Sequence, residues 1–363
     1  MPITISHRTT RIVEPLRDDG YPDYVAALDR HQSQGATPWN NYAVELFSAF
    51  GPKDINKSIR HRYLTKLGMT ELPEDGDYLV DFREYLKRKH PDESEELLDK
   101  FYDRSWKEPW QAEEFPELAA WHERYSEHLD RLQPRPQHKT FYTPRIQESA
   151  KSTALVLMMP LTINYGRDLA RWWLQRATLR LRAGDVDGAC EDVLAVRRLA
   201  LFLEKGPMLL DLLVGNATEA VAQETLFKLA GDPRLTKQQA VEFRRELAAR
   251  PPRPDPLEII DVGERYVCLD GICGMVRAGP DSLQGLSWAA GGGMGDVLDS
   301  LLGADSENVE GAIKDSIEEV REGLTPDERR RRQLKLIYDA IDWDLVLATC
   351  NDYFDRLHAL ADI

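Results

Sequence analysis

Little in this sequence ties it to a membrane, to nucleic acid or to an oxidising compartment. It has four cysteines in 363 residues, Cys190, Cys268, Cys273 and Cys350, and no CxxC pair. A chain of this length builds its core without disulfides, so the four read as buried, reduced thiols. Cys268 and Cys273 stand five residues apart, about 140° around a helix, and so do not form a metal pair on one face. The longest apolar stretch, Ala154 to Leu161, falls far short of the roughly 20 residues that cross a bilayer. The first twenty residues hold no apolar core of a secretory signal. A cytoplasmic chain without membrane insertion is the expectation. Positive charge is also scarce: 47 Lys and Arg stand against 62 Asp and Glu, a net charge of -15. Such a balance repels a phosphate backbone, so nucleic acid is not an expected partner.

Catalytic signatures are equally thin. His122 and His128 resemble a zinc helix at first sight, but they stand six residues apart, about 240° around it, and cannot chelate one ion from one face. The glycine-rich stretch 291–295 has no preceding strand and no GK[ST] ending, so it reads as a loop and not as a phosphate cradle. Four arginines, Arg329 to Arg332, follow Asp327 and Glu328 at a helix start, where the acids favour the dipole and the arginines spread around the helix. No GxSxG elbow and no Ser-His-Asp or Cys-His order occurs. No catalytic residue, metal ligand or cofactor is assigned.

What remains is helix, almost from end to end. Apolar spacing predicts helices over 21–31, 39–50, 54–67, 78–89, 93–106 and 116–132, then 150–159, 161–183, 185–204, 207–230 and 236–249. Three more are expected over 257–276, near 308–322, and as one long helix after Thr325. Thr37-Pro38 looks like an N-cap with proline at the first helical position. Residues 133–146 (QPRPQHKTFYTPRI) hold three prolines and no periodicity. They read as a surface connector between an N-terminal region, 1–146, and a C-terminal domain, 147–363. No pair of strand-like runs flanks a turn signal.

One hairpin carries a named pattern. Trp173, Ala177, Gly184 and Ala189 fall at the spacing of a tetratricopeptide repeat: a large residue in the first helix, a glycine at the turn, and an alanine where the second helix packs closely. The next pair, 208–230 and 237–249, lacks that spacing. The fold expected is therefore all-α, with helical hairpins stacked in a tetratricopeptide-like arrangement and no substantial sheet. The helix 208–230 is apolar around most of its circumference, which places it centrally. Its two polar stripes hold Asp211, Thr218 and Thr225 on one side and Asn216, Glu219 and Gln223 on the other.

Two functional readings follow. The first is a protein or peptide partner held in a groove beside residues 171–230, with Trp173 in its wall. Asn40 and Asn41 offer either a helix-start network or a polar contact. The second is an all-helical enzyme or small-molecule binder in which Asp211, Asn216, Glu264 and Asp270 converge in a carboxylate-lined pocket.

Several stretches together resemble a large paralogous family of planctomycete proteins. They are residues 20–28 (GYPDYVAAL), 35–44 (GATPWNNYAV), 49–52 (AFGP), 72–78 (LPEDGDY), 115–121 (FPELAAW), the hairpin 179–203 and 342–346 (DWDLV). The resemblance spans nearly the whole chain. It implies no catalytic motif, so no functional residue is carried over from it. Many relatives in that family begin with a hydrophobic anchor, and no such run opens this sequence.

Overall fold

The computed structural model describes residues 2–92, 94–96, 98, 104–147, 155, 158, 161–249, 253–283 and 325–360. Within them the protein is all-helical, with no strand and only two isolated bridges, Leu16 with Pro22 and Asn41 with Thr140. The helices are α1 (Tyr24–Gln32), α2 (Tyr42–Phe50), α3 (Arg60–Lys66), α4 (Phe82–Lys89), α5 (Pro116–Arg131), α6 (Leu161–Ala183), α7 (Val186–Leu203), α8 (Leu209–Ala230), α9 (Lys237–Ala248), α10 (Arg265–Ala278), α11 (Pro326–Ala340) and α12 (Trp343–Leu360). The glycine-rich stretch 291–295, the expected helix 308–322 and most of the expected helix 150–159 lie outside the described residues.

Two compact units share the chain. One comprises Met1–Leu28, Lys151–Met158 and Ile260–Ile363, the other Asp29–Ala150 and Met159–Ile259. Residue 146, where the proline-rich stretch suggests a boundary, lies inside the second unit.

The second unit is built around α6. Helices α2, α5, α7 and α8 all pack on it, and α9 packs on α7. Trp173 and Ala177 of α6 and Ala189 of α7 are fully buried. Gly184 turns the hairpin with φ +90°, a conformation that costs a side-chain-bearing residue about 1 kcal/mol or more. Asp185 then caps α7, its carboxylate accepting from the Gly188 N–H at 2.9 Å. Aromatic residues fill the remaining core: Phe50 stacks on Tyr165 at 4.1 Å, and Trp121 lies 4.9 Å from Trp172. Three buried indole N–H groups find acceptors, Trp110 on Gln175 O, Trp121 on Val80 O and Trp173 on Leu129 O.

Several local expectations are corrected here. Thr37-Pro38 does not start α2. Residues 38–40 form a turn, and Asn41 is the N-cap, accepting from Ala43 N at 3.3 Å. The reason is tertiary: the Asn41 amide also donates to Tyr142 O at 2.8 Å and accepts from Tyr142 N at 2.9 Å. Residues 133–146 are no surface connector, because His138, Phe141, Tyr142, Thr143, Arg145 and Ile146 are all buried. A buried segment without helical bonds needs other partners for its backbone. Asn41 supplies two, Asn40 O accepts from Lys139 N and Thr140 N, and Asp29 accepts from Arg145 N at 2.9 Å and from the Tyr142 hydroxyl at 3.0 Å.

The first unit holds α10, α11 and α12. A turn capped by Asp255 and a π-helical segment, Ile259–Glu264, precede α10, so the helix expected over 257–276 is interrupted. The long final helix is broken as well. Ile341 adopts an extended conformation, and Asp342 caps α12 through Leu345 N at 3.0 Å. Helix α10 packs on α12, and Leu269 of the first and Leu347 of the second are fully buried. Among the described residues no helix is long and apolar enough to cross a membrane.

Candidate interaction groove

Helix α8 decides where the second unit presents apolar surface. Its buried face is Asp211, Leu212, Gly215, Thr218, Glu219, Ala222, Thr225 and Leu229. Most of these are small or polar. Several large apolar residues face outward: Leu213 is 55% exposed and Phe227 is 71% exposed, with Leu209 and Leu210 also open. A helix apolar nearly all round is expected to be central, and this one is not.

Close approach explains the inversion. A Cβ at Gly215 would lie 2.8 Å from Ala200 O and 2.9 Å from Glu204 N, so α7 and α8 meet backbone to backbone there. Only a face of small residues permits that. Charge fixes the same face. Glu219, buried, pairs with Arg197 at 3.0 Å and also with Arg253. Asp211, buried at the helix start, accepts from Met208 N at 3.0 Å and closes a cap. The bulky residues are left on the opposite side.

A groove of about 420 Å3 runs between that side of α8 and α6. Leu213, Val214, Ala217, Thr218 and Val221 form one wall, Arg167, Ala170 and Arg171 the other, and Trp106 lies at the edge. The spacing on each wall is helical, i, i+3 or i+4, so two parallel rows of side chains flank the groove. Arg167 is exposed, Arg171 lies 3.9 Å from Asp168, and Lys107 sits over the Trp106 ring at 5.0 Å. In a chain of net charge -15, this rim is locally basic.

A larger hollow, about 690 Å3, lies between α5 and α6 and is lined by His122, Arg176 and Arg180 among others. Its cations are already engaged. Arg176 forks onto the fully buried Asp192 at 2.6 and 3.0 Å, and Arg180 reaches the same carboxylate at 2.9 Å. Both ring nitrogens of His122 are buried without a hydrogen-bond partner, and burial, with Arg176 and Arg180 nearby, pulls its pKa down to about 3. An occupant of the hollow would meet no accessible imidazole nitrogen.

The residues singled out in the sequence fall elsewhere. Asn40 is half-buried, accepting from Thr37 N and from the Thr140 hydroxyl and donating to Gly35 O. Asn41 is buried and occupied as described above. Trp173 is core and not groove wall. Asn216 is half-buried on α8. Asp211 and Asn216 belong to the second unit, Glu264 and Asp270 to the first. Glu264 ends the π-helical segment, and Asp270 is buried, held by Arg17 at 3.2 Å and by Leu155 N at 2.6 Å. Burial pushes the Asp270 carboxyl above its ordinary range, while these two donors pull the other way. Missed in the sequence were Trp106, Arg167, Arg171, Leu213, Ala217 and Phe227. One signal was available: a stripe of Asp211, Thr218 and Thr225 at heptad spacing, beside Gly215, marks a close-packed face and points the bulky residues away from it.

Compared with models of known protein families, with curated proteins and with solved structures, the chain matches none.

Proposed function

We propose that this protein is a helical docking scaffold whose α6–α8 groove takes an apolar, acidic helical segment of a partner protein. The observation that carries this reading is the outward face of α8, where Leu213 and Phe227 stand exposed while smaller and polar residues are packed inside. Burying one such side chain against a partner contributes about 2 kcal/mol, which is the scale of an interface anchor. An amphipathic helix places residues at i, i+3, i+4 and i+7 along a groove of this kind. The rim cations Arg167, Arg171 and Lys107 favour carboxylates on that helix. The tetratricopeptide spacing of α6 and α7 supports the same reading by fold analogy. Membership of the planctomycete family belongs to this proposal, as does a cytoplasmic location, which four unpaired thiols fit. The small-molecule alternative has less support, because Asp211 closes a helix cap and Asp270 is engaged by Arg17 and Leu155.

The test is selection of helical peptides from a display library on the full-length protein, repeated on Leu213→Glu. The expected enrichment is of sequences with apolar residues at helical spacing and flanking Asp or Glu, lost on the variant. Enrichment indifferent to Leu213→Glu, or none at all, overturns the proposal.

A further inference from the structure

Burial separates the four cysteines into two kinds. Cys190 and Cys273 are buried, and burial pushes their thiols up to about 11 and about 12. A thiol so held carries almost no thiolate, the nucleophilic form, at neutral pH. Cys268 on α10 is instead exposed, and Cys350 on α12 is half-buried. The expectation that all four are buried therefore fails for this pair.

Their placement follows from how α10 meets the helices after it. Near the start of α10, Arg265 donates to Asn351 at 3.4 Å and to Asp355 at 2.7 Å and lies 5.5 Å from the Phe354 ring. Near its end, Val276 O accepts from the hydroxyl of Tyr338, which precedes α12. The partners of α10 thus run from Asn351 and Asp355 at its start back to Tyr338 at its end, so α10 lies antiparallel to the α11–α12 run. One turn on from Arg265, that register sets Cys268 against Cys350, next to Asn351. There the two thiols lie close enough to shift each other's titration. The neighbouring Cys350 thiol holds Cys268 below the ordinary thiol range, against its partial burial and Glu264, while Cys268, with burial, raises Cys350. Arg265 works to lower Cys350, and Cys273 to raise it.

We propose that Cys268 and Cys350 are a redox-active pair that closes to a disulfide between α10 and α12 with a hydroperoxide as oxidant. The Cys268 thiolate attacks a peroxide oxygen; a sulfur–oxygen bond forms, the oxygen–oxygen bond breaks, and the second oxygen leaves, protonated, as an alcohol or as water. Cys268 is then a sulfenic acid and the peroxide has taken two electrons. The Cys350 sulfur attacks the Cys268 sulfur; the sulfur–sulfur bond forms, the sulfur–oxygen bond breaks, and the hydroxyl leaves as water with the Cys350 proton. Two thiols become one disulfide, and a thiol reductant reverses it. Cys268, being accessible and the better thiolate, is the attacking residue, and Cys350 is the resolving one. This site lies on α10 and α12 and does not depend on the groove reading.

The experiment treats the reduced full-length protein with hydrogen peroxide, blocks free thiols with iodoacetamide, digests it without reductant and maps the peptides. The expected product is a Cys268–Cys350 linked peptide that dithiothreitol abolishes, with Cys190 and Cys273 recovered alkylated. Before oxidation, Cys268 should alkylate about tenfold or more faster than Cys190. Cys350→Ser should leave Cys268 as a sulfenic acid trapped by dimedone. The wild-type map needs no variant, so it decides the matter even if Cys350→Ser folds poorly. Recovery of Cys268 and Cys350 as free thiols at a peroxide dose that oxidises free cysteine overturns the proposal. So does a link from either residue to Cys190, to Cys273 or to another chain.

Discussion

Helix α7 has two neighbours in sequence, and it meets them by opposite rules. Against α6 it buries large apolar and aromatic residues and one strong ion pair, Arg176 on Asp192, with both side chains almost wholly out of water. Against α8 it buries Gly215, Thr218, Ala222 and the carboxylate of Glu219, and leaves leucines and a phenylalanine outside. Hydrophobicity selects the first interface. Distance of approach selects the second, because a backbone contact at Gly215 admits only small neighbours. The lesson is that an apolar helix need not be an interior one: the face that packs is the face that fits, and what is left over becomes available to a partner.

Breaking the first interface should have the largest effect. Asp192→Ala leaves Arg176 buried without its main partner, and a loss of about 3–5 kcal/mol is expected in denaturant unfolding. Breaking the second should cost less. Gly215→Val places methyls against Ala200 O and Glu204, and about 1–3 kcal/mol should be lost through overpacking. A cost near zero would show that α7 and α8 can move apart freely.

Acid sharpens the comparison, because His122 borders the first interface and not the second. Folded, this imidazole takes up a proton only near pH 3, whereas its ordinary value is 6.5. Unfolding therefore binds a proton across that interval. The contribution is complete above pH 6.5 and is lost as pH falls through it, by about 2 kcal/mol between pH 7 and pH 5. Thermal melts should show this fall in the wild type and a shallower one in His122→Phe. Equal slopes would assign the acid sensitivity to other groups.

The smallest effect should come from the face left over. Phe227→Ser removes an exposed ring and should change stability by no more than about 0.5 kcal/mol. A loss like that of a core phenylalanine would mean that the ring is packed in solution, for instance against a second molecule.

Much of the helical layout was legible. Helices α5 to α9 lie within two residues of their expected limits, because long periodic runs and local caps such as Thr236 with Gln239 carry their own signals. Two of the misses share a cause. The start of α2 moved because Tyr142 engages Asn41, and the segment 133–146 is interior because Asp29 and Asn41 satisfy its backbone. Both are contacts across about a hundred residues, which no local pattern encodes. For the candidate site, the sequence pointed to the neighbourhood of 171–230 but named Trp173 and Asp211, which are core and cap. The groove residues Arg167, Leu213 and Ala217 emerge only once the rotation of α8 is known.

The sequence by itself determined that the chain is helical, where its long helices lie, and that its charge is acidic, since these depend on residues near one another or on simple sums. The tertiary structure decided which side of α8 is hidden, which tryptophans are core and which cysteines are buried. Those outcomes depend on how closely two backbones can approach and on pairs far apart in the chain, and both are properties of the packed molecule alone.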